Sequence, residues 1–345
     1  MKYLFLCAGR PHTVSGKPTY MLTCPDGNYV LEKIVEVSNV DPRDCIFAIR
    51  EKDDLLYNVE QSFKELFGPE VTCVTIKSDN SAGPLQTVVK TIHNLSLKGP
   101  LLIRDTDSYF ETKLPKDEGN YLTYANLDDC PNILTRNLSF LKINDQGVIL
   151  DIQERHSISN LFATGAYAFE EAAVIPKMYE RLKEHSPHNM YVSECVKEAI
   201  FYRRDAFLAL PVKGFIDWGA ERSWHDWCSP QKTLFVDMDG VLCTNGGRSF
   251  KPRQIDAQPI EENIEVLRKR VAEGAQVIIT TSRPESFREE TEAQLTRWNF
   301  PYNTLVMGCL HQQRIIINDY SRTNKYPSAV AVNIQRNGKE LKNLL

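Results

Sequence analysis

Short apolar runs that end in acids recur along this chain, separated by stretches of helical period. Tyr3-Leu4-Phe5-Leu6-Cys7 is β-branched-poor but apolar and aromatic, and it runs into the small-residue turn Ala8-Gly9 followed by the basic Arg10. Pro100-Leu101-Leu102-Ile103 delivers Arg104-Asp105-Thr106-Asp107, and Gly214-Phe215-Ile216 ends in Asp217, with Glu221 and Trp224 close behind. Thr233-Leu234-Phe235-Val236 reads as a buried strand ending in Asp237-Met238-Asp239, where Gly240 permits a sharp turn. Gln276-Val277-Ile278-Ile279 ends in Thr280-Thr281-Ser282-Arg283, and Ile315-Ile316-Ile317 ends in Asn318-Asp319. Between the third and fourth acid- or hydroxyl-bearing ends, Ile260, Ile264, Leu267 and Val271 keep a helical period up to the terminator Gly274. Strand, helix, strand in that order predicts a β-α-β unit, hence a parallel sheet with its site at the strand C-termini. The expected class is α/β.

Composition narrows the setting. A chain of 345 residues exceeds the usual size of one domain, which predicts two, divided into 1–228 and 229–345. The net charge of -4 offers no basic footprint for nucleic acid, and no apolar stretch approaches the ~20 residues that span a membrane. Nine cysteines, an odd number without CxxC pairs or a signal peptide ahead of them, fit reduced thiols and a cytoplasmic protein, with Cys7, Cys73 and Cys243 as small core residues. The seven histidines show no metal-ligand spacing, so a zinc site is not expected. Trp218, Trp224, His225 and Trp227 are expected at a domain interface.

Two carboxylates two apart at a strand's end can address one phosphate from the same side. Of Asp237 and Asp239, one can attack to form an aspartyl-phosphate while the other protonates the leaving alkoxide and later activates water, with Mg2+ offsetting the charge of both. On Asp237-Met238-Asp239-Gly240 the C-terminal part resembles the haloacid dehalogenase superfamily of phosphatases, whose first motif is D-x-D-G. The resemblance implies a Rossmannoid α/β domain, Asp237 as nucleophile, Asp239 as acid/base and a phosphate-binding Thr281, with Thr280 the alternative; Ser282 and Arg283 beside it are candidates to touch substrate. It also implies Asp319 as a further Mg2+ ligand beside Asp237 and Asp239. A basic residue before the last strand is expected to neutralise the phosphate, and Arg314 or His311 can fill that place. Only about twenty residues separate Val241 from the helix at Ile260, too few for a large cap, so the site is expected to be open.

The N-terminal part reads as a nucleotide entrance, since a tight turn at Ala8-Gly9 lets backbone N–H groups approach a triphosphate while Arg10 and Lys17 supply positive charge. Asp105, Asp107 and Asp217 can share one Mg2+ against it. Over its first ~228 residues the chain is similar to the sugar-phosphate nucleotidyltransferases, which have a GT-A-like α/β fold and join an NTP to a sugar 1-phosphate. Ala8-Gly9-Arg10 stands at that family's Gly-rich loop, Gly83, Gln86 and Thr87 lie in the segment that meets the base, and Asp105 and Asp217 match its two metal acids. Glu154 with Arg155, and Gly165 within Gly165-Ala166-Tyr167-Ala168-Phe169, resemble its sugar-site elements. One glycine of the loop is missing, Thr19 follows Pro18 where a lysine is usual, and Arg155 replaces a lysine, which exchanges a point charge for a fork.

Together these features predict a GT-A-like nucleotidyltransferase domain followed by a haloacid-dehalogenase-like domain with little or no cap. The expected protein is bifunctional: nucleotidyl transfer from an NTP, CTP preferred, to a phosphorylated sugar or polyol, and Mg2+-dependent phosphatase action. The resemblance places such a pair in precursor synthesis for a capsule or other surface polysaccharide. Two alternatives stand beside it: an N-terminal domain that only binds a nucleotide or NDP-sugar, and a glycosyltransferase using Asp105-Thr106-Asp107 as its metal motif.

Overall fold

The computed structural model describes residues 1–9, 16–77, 83–113, 115, 119–130, 133–185, 190–245, 257–319 and 328–345. It divides into two compact units, Met1–His225 and Asp226–Leu345. Arg10, expected at the nucleotide entrance, lies outside the described residues.

The N-terminal unit opens with β1 (Lys2–Cys7), α1 (Val30–Ser38), β2 (Cys45–Arg50), α2 (Glu51–Tyr57), α3 (Val59–Phe67), β3 (Thr72–Ile76), α4 (Gly83–Leu95), β4 (Leu101–Asp105), β5 (Ser108–Glu111) and β6 (Tyr121–Asn126). It continues with β7 (Ser139–Ile143), β8 (Ile149–Glu154), β9 (Leu161–Phe169), α5 (Ile175–His185), α6 (Val192–Glu198), β10 (Leu208–Pro211) and β11 (Lys213–Asp217), and the division falls within α7 (Glu221–Cys228). Its main sheet runs β10-β6-β9-β4-β1-β2-β3, with β7 attached to β9 and β8 to β7. Pairings of β4, β1, β2 and β3 are parallel, while β9 is antiparallel to both β4 and β6. Strands buried on both faces read as continuous apolar runs, and β2 (Cys-Ile-Phe-Ala-Ile-Arg) is of that kind. The core gathers Leu4, Ile46, Leu85, Val88, Ile103, Leu122, Ile152 and Phe169. A separate ladder, β5 with β11, is antiparallel and pairs Ser108 with Asp217.

The C-terminal unit contains β12 (Thr233–Asp237), α8 (Glu261–Ala272), β13 (Gln276–Thr280), α9 (Arg288–Arg297) and β14 (Thr304–Val306), with β12-β13-β14 in one parallel sheet. The helical period read from Ile260 to Val271 produces α8: Ile264 and Leu267 are fully buried, contributing about 1.5–3 kcal/mol each. Gly274, at φ +105, ends that helix in a conformation glycine adopts without strain. Two expectations are corrected. Phe235 is 57% exposed, so β12 is half-buried rather than buried, because the sheet leaves that face bare at Phe235. Ile315, Ile316 and Ile317 are 78%, 54% and 93% exposed and form no strand. Their apolar character satisfies strand propensity, but a strand requires a ladder partner, and none of the described strands pairs with them.

Among the described residues no helix is long and apolar enough to cross a membrane.

Candidate functional site

The parallel pairing of β1 with β4 sets Leu6 opposite Asp105 at the C-terminal edge of the sheet. Thr106 Oγ1 donates to the Leu6 carbonyl at 2.8 Å, tying the Asp105–Asp107 turn to β1. From the other side the β5–β11 ladder brings Asp217 in, and the Trp218 amide donates to the Asp107 carbonyl at 2.8 Å. Trp218 is among the largest fully buried side chains, packed against Tyr109 (ring centroids 5.5 Å) and Trp224 (6.0 Å). It anchors the strand end that carries Asp217.

Two glycines make room for the acids. A Cβ on Gly219 would stand 3.0 Å from Asp107 Oδ2 and 3.2 Å from Asp217 Oδ1, so the two carboxyls converge on one point. A Cβ on Gly165, at φ +95, would stand 2.8 Å from Asp105 Oδ2. Burial, then the neighbouring Asp107, push the Asp105 carboxyl up to about 7, against the lowering influence of Arg104; Glu154 adds to the rise. Burial also raises Asp217, although the backbone N–H groups of Gly219 and Ala220 oppose it. Acids held close together and away from water repel one another, a repulsion that a divalent cation offsets. Asp107 and Asp217 supply the converging oxygens and Asp105 the adjoining charge. Among the described residues no three acids, histidines or cysteines form a metal cage by themselves, so a cation here would draw its other ligands from bound phosphate and water.

Arg104 is not singled out in the sequence as a site residue, because it reads as the polar end of an apolar run. It is 1% exposed, and its guanidinium lies 4.0 Å over the Phe110 ring. Burial lowers it to about 10, while Asp105 and Asp107 pull it back up. The signal available was the charge itself, set in a central strand.

Of the other expected residues, Glu154 closes β8 with its Oε2 accepting the hydroxyls of Ser139 and Ser193, the latter at 2.7 Å. Arg155, left-handed at φ 57, lies over the Tyr191 ring at 5.2 Å and donates to the Tyr191 hydroxyl. Ala8 and Gly9 follow β1, Gly9 exposed, and Lys17 is exposed. Gly83 (φ +77) opens α4, with Gln86 and Thr87 half-buried on its first turns.

In the C-terminal unit the β12–β13 register sets Asp237 beside Thr280. Asp237 Oδ1 accepts from its neighbour's amide at 3.0 Å and from Arg314 Nη2 at 3.1 Å. Asp239 is held differently. Arg283, 2% exposed, reaches it with Nε (2.9 Å to Oδ2) and Nη2 (2.6 Å to Oδ1), while its Nη1 donates to Gln294 at 2.7 Å and Thr291 at 3.4 Å. Arg283, a candidate to touch substrate, is buried with its guanidinium against Asp239. Thr281 is also fully buried, its hydroxyl 3.4 Å from Asp239 Oδ2 and accepting the Arg283 amide at 3.2 Å. The Cys243 thiol touches both Asp239 and Arg283 at 3.6 Å, and burial pushes it up to about 12. Ser282 Oγ lies 3.4 Å from His311 Nδ1. Asp319, expected beside Asp237, is exposed in the strand-less segment after Ile317, and its amide donates to the Asn318 side chain at 3.0 Å; among the described strands none carries it to the sheet edge.

No family model matches the chain, and no curated protein matches it in sequence. Solved structures do. The nucleoside-diphosphate-sugar pyrophosphorylase from Vibrio cholerae RC9 is similar at a TM-score of 0.55 and 17% identity, over 66% of this chain and 98% of that one. The inositol-1-phosphate CTP transferase from T. maritima gives 0.50 and 16%, over 64% and 90%. Over about two thirds of its length the chain thus has the mixed α/β, GT-A-like fold of nucleotidyltransferases.

Proposed function

We propose that the N-terminal unit is a nucleotidyltransferase: it joins an NTP to a phosphorylated sugar or polyol. A phosphate oxygen of the acceptor attacks the α-phosphorus, the bond to the β-phosphate oxygen breaks, and pyrophosphate leaves with the electron pair. The observation that carries this is the convergence of Asp107 and Asp217 on one point beside Gly219, with Asp105 adjoining, at the edge of a nucleotidyltransferase fold. Mg2+ bound there would offset the triphosphate's charge as the pyrophosphate departs. Asp105, Asp107 and Asp217 are the residues to hold it. Glu154, Arg155 and Gly165 stand on the acceptor side in this reading, and Ala8, Gly9, Arg10, Lys17, Gly83, Gln86 and Thr87 on the nucleotide side. CTP is the first nucleotide to try, since one structural neighbour is a CTP transferase.

The test is pyrophosphate release with CTP, UTP, GTP or ATP and a panel of sugar and polyol phosphates, for the wild type and Asp217→Asn. Release lost in the variant supports the proposal. No release with any pair, although one NTP raises the unfolding temperature, favours a binding domain instead.

A second reading concerns the C-terminal unit. Asp237 ends a parallel strand with Arg314 on its carboxylate, a nucleophile beside a phosphate-binding cation, which supports an aspartyl-phosphate phosphatase using Mg2+. Phosphate release from a monoester panel that survives Asp237→Asn would overturn it.

A further inference from the structure

Arg104 occupies a position where packing alone asks for an aliphatic side chain. It lies on β4, opposite Phe5 of β1 on one side and Ala166 of β9 on the other. Burying its charge costs on the order of several kcal/mol unless hydrogen bonds offset it. Both Nη atoms are engaged, and their partners form a pattern. Nη1 donates to the Asp105 carbonyl at 2.9 Å, to Ser108 Oγ at 3.1 Å and to the Gly165 carbonyl at 3.4 Å. Nη2 donates to the Ser108 carbonyl at 2.6 Å. No carboxylate is among these partners.

Each partner belongs to a segment that places an acid. The Asp105 carbonyl fixes the first acid's own backbone. Bonding both the carbonyl and the hydroxyl of Ser108 closes the turn that carries Asp107, and Ser108 is also the residue paired with Asp217 across the β5–β11 ladder. The Ser108 hydroxyl passes the restraint on, donating to the Thr164 carbonyl at 2.9 Å. Gly165 is the position whose missing Cβ leaves space for the Asp105 carboxyl. One rigid guanidinium therefore spans the three backbone segments on which the acid cluster depends.

We propose that Arg104 is a positioning residue that sets the spacing of Asp105, Asp107 and Asp217 for a divalent cation. This rests on the nucleotidyltransferase reading only for what the cation does, since cation binding itself can be measured without turnover. A planar fork suits the task. A lysine keeps the charge, so its long-range repulsion of the cation is unchanged, but its flexible point donor cannot hold three carbonyls and a hydroxyl in one plane.

Mn2+ is the probe, titrated calorimetrically into the whole protein as wild type, Arg104→Lys, Ser108→Ala and Asp217→Asn, with urea unfolding of each in parallel. Asp217→Asn should abolish the binding event. Arg104→Lys should bind Mn2+ about tenfold or more weakly, the loss typical of removing a group that orients metal ligands, and Ser108→Ala should fall between it and wild type. Arg104→Lys that unfolds earlier yet binds Mn2+ with wild-type affinity overturns the proposal, because a merely structural role predicts that result. Mn2+ binding indifferent to Asp217→Asn overturns it as well. Pyrophosphate release, assayed separately, decides the nucleotidyltransferase reading: tight Mn2+ binding sensitive to both variants without pyrophosphate from any NTP would sink that reading and leave the proposal standing.

Discussion

Two acid pairs in this chain share one local pattern, Asp-x-Asp at the end of a parallel strand, yet they are held by opposite means. Asp105 is buried beside another acid and beside an arginine whose hydrogen bonds go to carbonyls and a hydroxyl, so its carboxyl is pushed up. Asp239 is half-buried, but Arg283 grips both of its oxygens, and Asp237 carries Arg314. Local sequence decides where such acids are delivered; the nearby cations decide what they are ready to receive. The first cluster gathers three carboxyls and suits an incoming cation. The second already contains its own.

The sharpest way to break that contrast is to neutralise one acid in each cluster. Asp217→Asn should lower pyrophosphate formation by at least about 10²-fold, the scale of losing a group that stabilises developing charge. Asp237→Asn should leave pyrophosphate formation unchanged. Comparable losses from both variants would mean that the two clusters do not serve separate reactions.

Removing a cation should be expensive where the acid depends on it. Arg283→Ala removes a buried guanidinium and leaves the half-buried Asp239 without that partner, a loss of up to about 3 kcal/mol, below the range for a fully buried pair. Urea unfolding should show the transition of the C-terminal unit moved to lower denaturant, and Asp239→Asn in the same background should restore part of the loss. An unshifted transition would show that the pair contributes little.

A smaller effect is expected at Gly165. Alanine there must adopt φ +95 and bring its Cβ to 2.8 Å from Asp105 Oδ2, which should cost about 1–3 kcal/mol in the N-terminal unit. Mn2+ affinity should fall with it, since the carboxyl must move. Wild-type stability and affinity together would show that Gly165 is not what makes room for the acid.

Much of the N-terminal arrangement is legible in the sequence because its acids end apolar runs: β4 stops at Asp105 and β11 at Asp217, and only their convergence required the fold. Arg104 is not legible, since its role comes from the carbonyls of Ser108 and Gly165, four and sixty-one residues away. In the C-terminal unit the α8 period and the β12 and β13 runs read correctly as elements, while the Asp239–Arg283 pair, forty-four residues apart, left no local trace. Ile315–Ile317 shows the reverse failure: composition alone reads as a strand, but pairing is a property of neighbours that an apolar run does not encode.

The gentlest probe is pH. Asp105 is held up at about 7 in the folded protein, against about 3.9 for an unperturbed aspartate, so folding takes up protons between those values. The stability that this protonated acid contributes is complete below about pH 4 and is lost as pH rises through 7. With chelator present, the urea midpoint of the N-terminal transition should therefore decline from pH 5 to pH 8, and Asp105→Asn, which carries no titrating group there, should flatten the decline. Mn2+ should act with the opposite sign, binding the ionised cluster and raising the midpoint more at pH 8 than at pH 5.5, because cation and proton compete for the same charge. In the C-terminal unit Arg283 and Arg314 already sit on Asp239 and Asp237, so Mn2+ should raise that transition less. Equal metal-induced shifts in both transitions would erase the distinction between an acid cluster awaiting a cation and one that has its own.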